Sequence, residues 1–161
     1  MPMEIERKFL LKNDHWRAFA RRQESMRQGY LAGDQRCSIR IRITGDAAFL
    51  NIKSATLGVS RHEFEYAVPV PEATEMFALF CAQRSLSKDR YYVPNGPHTW
   101  EIDVFHGDNE GLVVAEIELS SPTETFAIPD WLGEEVSDDP RYYNSRLIEF
   151  PFRGWPAVTR A

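Results

Sequence analysis

Acids and bases recur along this 161-residue chain at a spacing of two. Glu4 and Glu6 precede Lys8; then come Arg40 with Arg42, Lys53, Arg61, Glu63 with Glu65, Lys88 with Arg90, Glu101 with Asp103, and Glu116 with Glu118. Residues two apart on a β-strand share a face, and the alternating positions are apolar: Ile39, Ile41 and Ile43, Leu50 and Ile52, Phe64 and Tyr66, Ile102 and Val104, Ile117 and Leu119. Like charges side by side repel, and a merely solvated face would more readily mix signs or use Ser, Thr and Gln. The doubling therefore predicts compensation by something of opposite charge. Clustered bases such as Arg40, Arg42, Lys53, Lys88 and Arg90 offer fork-shaped and point-charge donors to several phosphate groups at once. Crowded carboxylates stay ionised in a low-dielectric enclosure only if cations neutralise them, and all-oxygen donor sets suit Mg²⁺ or Mn²⁺. A phosphate chain bridged by divalent ions between bases and acids meets both demands.

Short alternating segments between turn signals must carry these residues. Gly33-Asp34, Gly45-Asp46, Asn95-Gly96-Pro97 and Asp108-Asn109-Glu110-Gly111 punctuate strands expected at 3–11, 28–33, 35–44, 47–54, 60–69, 86–93, 98–106 and 112–120. Eight strands are enough to close a barrel. Three helices complete an α+β pattern. The first follows Asn13-Asp14 and puts Trp16, Phe19, Ala20 and Met26 on one stripe; the second starts at Pro71 and repeats Ala73, Phe77, Phe80 and Cys81; the third begins at Asp139-Pro140, carries Tyr143, Leu147 and Ile148, and stops at Pro151. With apolar strand faces packed outward against helices, the charged faces point into an eight-stranded antiparallel β-barrel whose polar interior is a binding site.

Composition narrows the function class. With 43% apolar residues, residues 1–161 are expected to form one domain with a substantial core. No apolar run approaches the roughly 20 residues of a membrane span, and the first ten residues read as charged strand rather than secretion signal, so a cytoplasmic protein without membrane contact is expected. The net charge of -5 argues against a nucleic-acid partner. Cys37 and Cys81 read as buried thiols, and His15, His62, His98 and His106 lack metal-ligand spacing. No GxGxxG, GxxxxGK[ST] or GxSxG is present, which leaves P-loop nucleotide binding and serine-elbow hydrolysis unsupported.

Glu4-Ile5-Glu6-Arg7-Lys8 resembles the N-terminal ExExK signature of the CYTH domain, or triphosphate tunnel metalloenzyme, superfamily. Arg40 and Arg42, Lys53, Glu63-Phe64-Glu65, Lys88-Asp89-Arg90, Glu101-Ile102-Asp103 and Glu116-Ile117-Glu118 follow in the family's order over roughly residues 3–150. The resemblance implies a tunnel that binds triphosphate-bearing substrates with divalent metal. Lys8, Arg40, Arg42, Lys53, Lys88 and Arg90 then resemble the phosphate-binding set, to which strand parity adds Arg61. Glu4, Glu6, Glu63, Glu65, Asp103, Glu116 and Glu118 resemble the metal-binding set. Glu101 is left aside as a balancing charge, and Arg141 and Arg146 are expected to help close the tunnel.

Within such a family the expected reaction is metal-assisted phosphoryl transfer to water, with two ions, Glu4 and Glu6 holding the one that activates water, and Lys8 or Lys88 orienting that water or protonating the leaving phosphate. The sequence shows no aromatic box beside the basic residues, so inorganic tripolyphosphate is the expected substrate. The alternatives are thiamine triphosphate, a nucleoside triphosphate, class IV adenylate cyclase chemistry, or a non-catalytic triphosphate-binding module. The only expected partner is the small-molecule triphosphate, with a homodimer left open.

Overall fold

A computed structural model describes residues 3–55, 59–81 and 83–156. Eight strands, β1 (Met3–Leu11), β2 (Arg22–Gly33), β3 (Cys37–Thr44), β4 (Ala47–Ser54), β5 (Ser60–Val68), β6 (Ser85–Asn95), β7 (His98–Phe105) and β8 (Val113–Glu118), pair antiparallel in the order β5-β4-β3-β2-β6-β7-β8-β1. Pairing of Met3–Ile5 with Ser60–His62 closes the circle, so this is the expected barrel. The hairpins between β3 and β4 and between β6 and β7 turn at Gly45 and Gly96, with φ of 55° and 64°, a left-handed conformation that a Cβ disfavours.

Four elements differ from expectation. The first helix is only a 3-10 turn, His15–Phe19, and β2 begins six residues earlier than the sequence suggested, at Arg22. Met26 fits a helical stripe by spacing, yet it lies opposite Lys88 in the β2–β6 ladder and is buried there; sheet pairing overrode the local period. The second helix, α1 (Val70–Met76), passes into a π-helical turn, Phe77–Cys81, which rotates Phe80 outward to 62% exposure while Ala73 and Cys81 stay buried. A short ninth strand, β9 (Leu132–Glu135), pairs with the end of β1. Its four residues are too few to carry a periodic signal. The third helix follows its signals: a 3-10 turn at Pro140–Tyr142 leads into α2 (Asn144–Glu149), which ends just before Pro151.

The apolar core is divided. Outward faces pack under the 3-10 turn and the segment before β9, where Trp16, Trp100, Ile102, Ile117 and Trp131 are buried, and under α1, where Ile41, Ile43, Ala48 and Ala73 are buried. A further cluster lies at one end of the barrel. Leu10, Leu86, Phe105 and Val114 continue the charged faces of their strands by one more alternation, and they pack with Tyr142, Leu147, Phe152 and Trp155 of the C-terminal segment. The interior is thus charged over part of its length and stoppered by apolar side chains.

The approach of the π-helical turn to β2 leaves no room for a side chain at Gly29, where a Cβ would lie 2.3 Å from Cys81 Cβ and 2.8 Å from its Sγ. Gly29→Ala should therefore cost about 1–3 kcal/mol by overpacking. Urea denaturation with an unchanged m-value is the check, and a stability equal to wild type would show that the turn is loosely seated.

Candidate active site

Register sets which charges face each other across the interior. Lys53 lies opposite Glu63, Arg90 opposite Asp103, Lys8 opposite Glu116, and Glu4 opposite Arg61. The first three of these pairs meet as ion pairs, so much of the doubled charge along a strand is compensated by the neighbouring strand, whereas Glu4 and Arg61 are opposed in register without reaching ion-pair distance. Two pairings break the rule: Glu6 faces Glu118, and Glu101 faces Glu116. Like charges directly opposed destabilise a ladder; Glu116 and Glu101 are relieved by Lys8 at 3.7 Å and Arg90 at 3.4 Å, whereas Glu6 and Glu118 have no base within ion-pair distance among the described residues.

A cavity of about 170 Å³ occupies the charged interior. Glu4, Glu6, Lys8, Arg40, Arg42, Lys53, Arg61, Glu63, Arg90, Glu116 and Glu118 line it together, as does Glu101, which the sequence reading set aside. Three expected residues do not reach its wall. Glu65 is turned toward Arg42 Nη2 at 2.8 Å and Asn51 Nδ2 at 3.0 Å. Lys88 and Asp103 are sealed beneath the cavity, their side chains fully buried and joined at 2.7 Å. Arg141 is held instead by Asp139, and Arg146 is exposed and lies outside this cavity.

Ion pairing sorts the lining residues. Lys53 Nζ stands 3.1 Å from both Glu4 Oε2 and Glu63 Oε2, while Lys8 Nζ lies 3.7 Å from Glu116 and donates to the Tyr142 carbonyl at 3.0 Å. Among the described residues, Arg40 and Arg61 have no carboxylate within ion-pair distance, and neither Glu6 nor Glu118 has a base. Burial raises the Glu118 carboxyl above its ordinary value, and Glu4 and Glu63 push it further. Burial likewise raises Glu101. Beneath them, burial would lift Asp103, but Arg90 and Lys88 hold its carboxyl below the usual range. Burial, assisted by Arg90, brings the Lys88 ammonium down to about 8 despite Asp103.

Five residues of the wall were not anticipated. Tyr30 and Ser38 share the inward parity of Arg40 on neighbouring strands and were open to detection by the same alternation. Tyr143, Asn144 and Ser145 come from the C-terminal segment, which the Tyr143 hydroxyl anchors by donating to the Ser137 carbonyl at 2.9 Å. The Tyr143 ring lies 5.7 Å from the Arg61 guanidinium and 5.9 Å from Lys8 Nζ. The expectation of bases without aromatic neighbours is therefore corrected. A second cavity of about 360 Å³ shares Tyr30, Ser38, Arg61, Tyr143 and Ser145 with the first and extends toward Arg84 and Arg146.

The CYTH domain model matches residues 2–143. The chain belongs to the CYTH domain family. It is 42% identical over 155 residues to an inorganic triphosphatase of Acetivibrio thermocellus, covering 96% of this chain and 99% of that one. It is 36% identical over 149 residues to an inorganic triphosphatase of Nitrosomonas europaea, covering 89% and 95%. A crystal structure of an inorganic triphosphatase superposes with a TM-score of 0.65 at 33% identity, over 90% of this chain and 97% of that one. CYTH enzymes that act on triphosphates require a divalent cation.

The donors fit such a cation in kind. Glu4, Glu6, Glu63 and Glu118 offer only hard oxygens, Glu6 and Glu118 have no base within ion-pair distance among the described residues, and Glu4 Oε2 is buried without a well-directed hydrogen bond. Among the described residues, no three acids already stand as a ready-made ion-binding group. Lys53 bridges two of them in its place.

The Lys88 environment generates a pH prediction. A folded-state pKa near 8 against 10.5 unfolded means that charging Lys88 opposes folding; the penalty is complete below about pH 8 and fades as pH rises toward 10.5. The stability difference between Lys88→Met and wild type should therefore shift in favour of wild type between pH 7 and pH 10, by up to about 3 kcal/mol. Paired denaturant titrations at the two pH values test this; a pH-independent difference would contradict the burial of a charged ammonium.

Proposed function

We propose that this protein hydrolyses inorganic tripolyphosphate to pyrophosphate and phosphate inside the barrel. The observation that carries the reading is the enclosed cavity lined by Arg40 and Arg61, which have no carboxylate within ion-pair distance among the described residues, and by Glu6 and Glu118, which have no base there. Such a space is neutralised by a polyanion and a cation together, and by neither alone. Similarity to two inorganic triphosphatases over nearly the whole chain supports the same substrate.

In this reading Arg40, Arg42, Arg61, Arg90 and Lys8 grip phosphate oxygens through charge-assisted hydrogen bonds, and Arg40 and Arg61 do so without leaving a carboxylate. Glu4, Glu6, Glu63 and Glu118 hold Mg²⁺ or Mn²⁺. The second acid pair, Glu101 and Glu116, supports a second ion. A divalent ion supplies charge neutralisation at phosphate oxygens and the Lewis acidity that activates water. Lys8 donates a proton to the departing phosphate in this reading, which its anchorage on the Tyr142 carbonyl beside Glu116 supports. Lys88 is too deeply sealed to touch substrate in this arrangement, so its expected catalytic contact is not part of the mechanism. Burial of the bases excludes water and strengthens their hold on the charge that develops as the phosphoryl group transfers. Two unpaired thiols, Cys37 and Cys81, suit a reducing cytoplasm.

One observation favours a second reading. Tyr30 and Tyr143 border the side cavity and offer a stacking surface to an organic triphosphate. Side-by-side kcat/KM values for tripolyphosphate, ATP and thiamine triphosphate decide between them, and ATP as the best substrate would overturn the proposal. Pyrophosphate should be at least tenfold poorer than tripolyphosphate, because each charge-assisted contact contributes about 1.5–3 kcal/mol and a missing phosphate forfeits at least one. Excess chelator should abolish turnover. Glu6→Gln should fold like wild type and lose activity at least tenfold, since it removes an anionic donor without opening a cavity; a fully active, folded variant would move the cation elsewhere.

A further inference from the structure

Asp103 lies on the charged face of its strand, and the family resemblance groups it with the metal-binding acids. Its surroundings give it different work. Both carboxylate oxygens are already engaged: Oδ1 accepts from Arg90 Nε at 2.8 Å, and Oδ2 accepts from Arg90 Nη2 at 2.9 Å and from Lys88 Nζ at 2.7 Å. The Asp103 side chain is fully buried and does not line the cavity, whereas Arg90 does. On the far side, Lys88 packs over the Phe105 ring at 5.5 Å, against the apolar stopper formed with the C-terminal segment. The order from stopper to cavity is therefore Phe105, Lys88, Asp103, Arg90. Three of the four lone-pair sites of this carboxylate are taken by cationic donors, and its side chain does not reach the cavity; a two-point fork fixes a guanidinium far more tightly than a single contact.

We propose that Asp103 is a positioning residue rather than a cation ligand: with Lys88 as its buried counter-charge, it fixes the Arg90 guanidinium in the cavity wall so that the remaining Arg90 donors meet phosphate. Arg90 keeps one further ionic contact, Nη1 to Glu101 at 3.4 Å, which is the longest of its set and the one phosphate can replace. The inference deepens the proposed triphosphate function and rests on it for the phosphate half, while the cation half stands independently.

The test reads binding, not turnover. Calorimetric titration of the cation-free protein with tripolyphosphate, and separately with Mn²⁺, should give an Asp103→Asn variant that binds tripolyphosphate about tenfold more weakly and Mn²⁺ within twofold of wild type. Glu6→Gln, by contrast, should lose Mn²⁺ affinity. In an Arg90→Ala background, the Asp103→Asn effect on tripolyphosphate should vanish, because a positioning residue acts only through the group it positions. A loss of Mn²⁺ affinity in Asp103→Asn comparable to that of Glu6→Gln would make Asp103 a ligand and overturn the proposal. An Asp103→Asn effect that persists without Arg90 would make it a general structural residue and overturn it equally. If Asp103→Asn fails to fold because Lys88 is left unpaired, the Lys88→Met/Asp103→Asn protein removes both buried charges and gives the same two readouts. A wild type that binds Mn²⁺ but no tripolyphosphate would refute the substrate and not the assignment of Asp103 outside the cation set.

Discussion

The interior of this barrel holds ionised groups where most small barrels hold Val, Ile and Leu, and the rest of the molecule is arranged around keeping them paired. An isolated carboxylate or ammonium taken out of water loses several kcal/mol even after relaxation, and attraction to a partner recovers this only with good geometry. Antiparallel register supplies that geometry. Lys53 is set between Glu4 and Glu63, Lys8 opposite Glu116, and Arg90 opposite Asp103 by the strand ladders themselves. A one-residue slip of any strand would place its charges among the tryptophans outside and its isoleucines in the cavity. The charged face is thus a register device as well as a binding surface.

Compensation is incomplete in a pattern that matters for function. Where every acid meets a base, a barrel interior is a stable but inert ion-pair network. Among the described residues, Arg40 and Arg61 have no carboxylate and Glu6 and Glu118 no base within ion-pair distance, and Glu118 is raised by burial and by its acidic neighbours. The molecule forgoes stability at these positions, and a ligand carrying both signs restores it. The apolar stopper beneath Lys88 and Asp103 has a part in this. It keeps the lower layer dry, which pins Arg90 and leaves the unpaired charges confined to the part of the interior that a ligand enters.

The barrel and most of its wall were legible in the sequence because a period of two is unambiguous when seven strands repeat it. Glu4, Arg40, Lys53, Glu63 and Glu116 needed only parity to be placed inside. Parity says which face a side chain takes and not how deep it lies. Lys88 and Asp103 read identically to Arg90 and Glu101, and what separates the sealed layer from the cavity is tertiary: the apolar stopper whose Phe105 ring lies under Lys88. Tyr143, Asn144 and Ser145 arrive from a segment whose docking is a tertiary event, so no local pattern announced them. Met26 misled for the opposite reason: its spacing from Trp16 and Phe19 matched a helix, but eight ladder partners between β2 and β6 outweighed that local preference.

Anion and cation complete one another inside the barrel. Thermal unfolding of wild-type protein with a non-hydrolysable imido analogue of tripolyphosphate, with Mn²⁺, and with both together tests it most directly. Each alone should raise Tm only slightly, since either leaves one set of charges uncompensated, and the two together should raise it by more than the sum of the separate shifts. A combined shift no larger than that sum would contradict the account, because it would mean that the unpaired bases and the unpaired acids do not form one site.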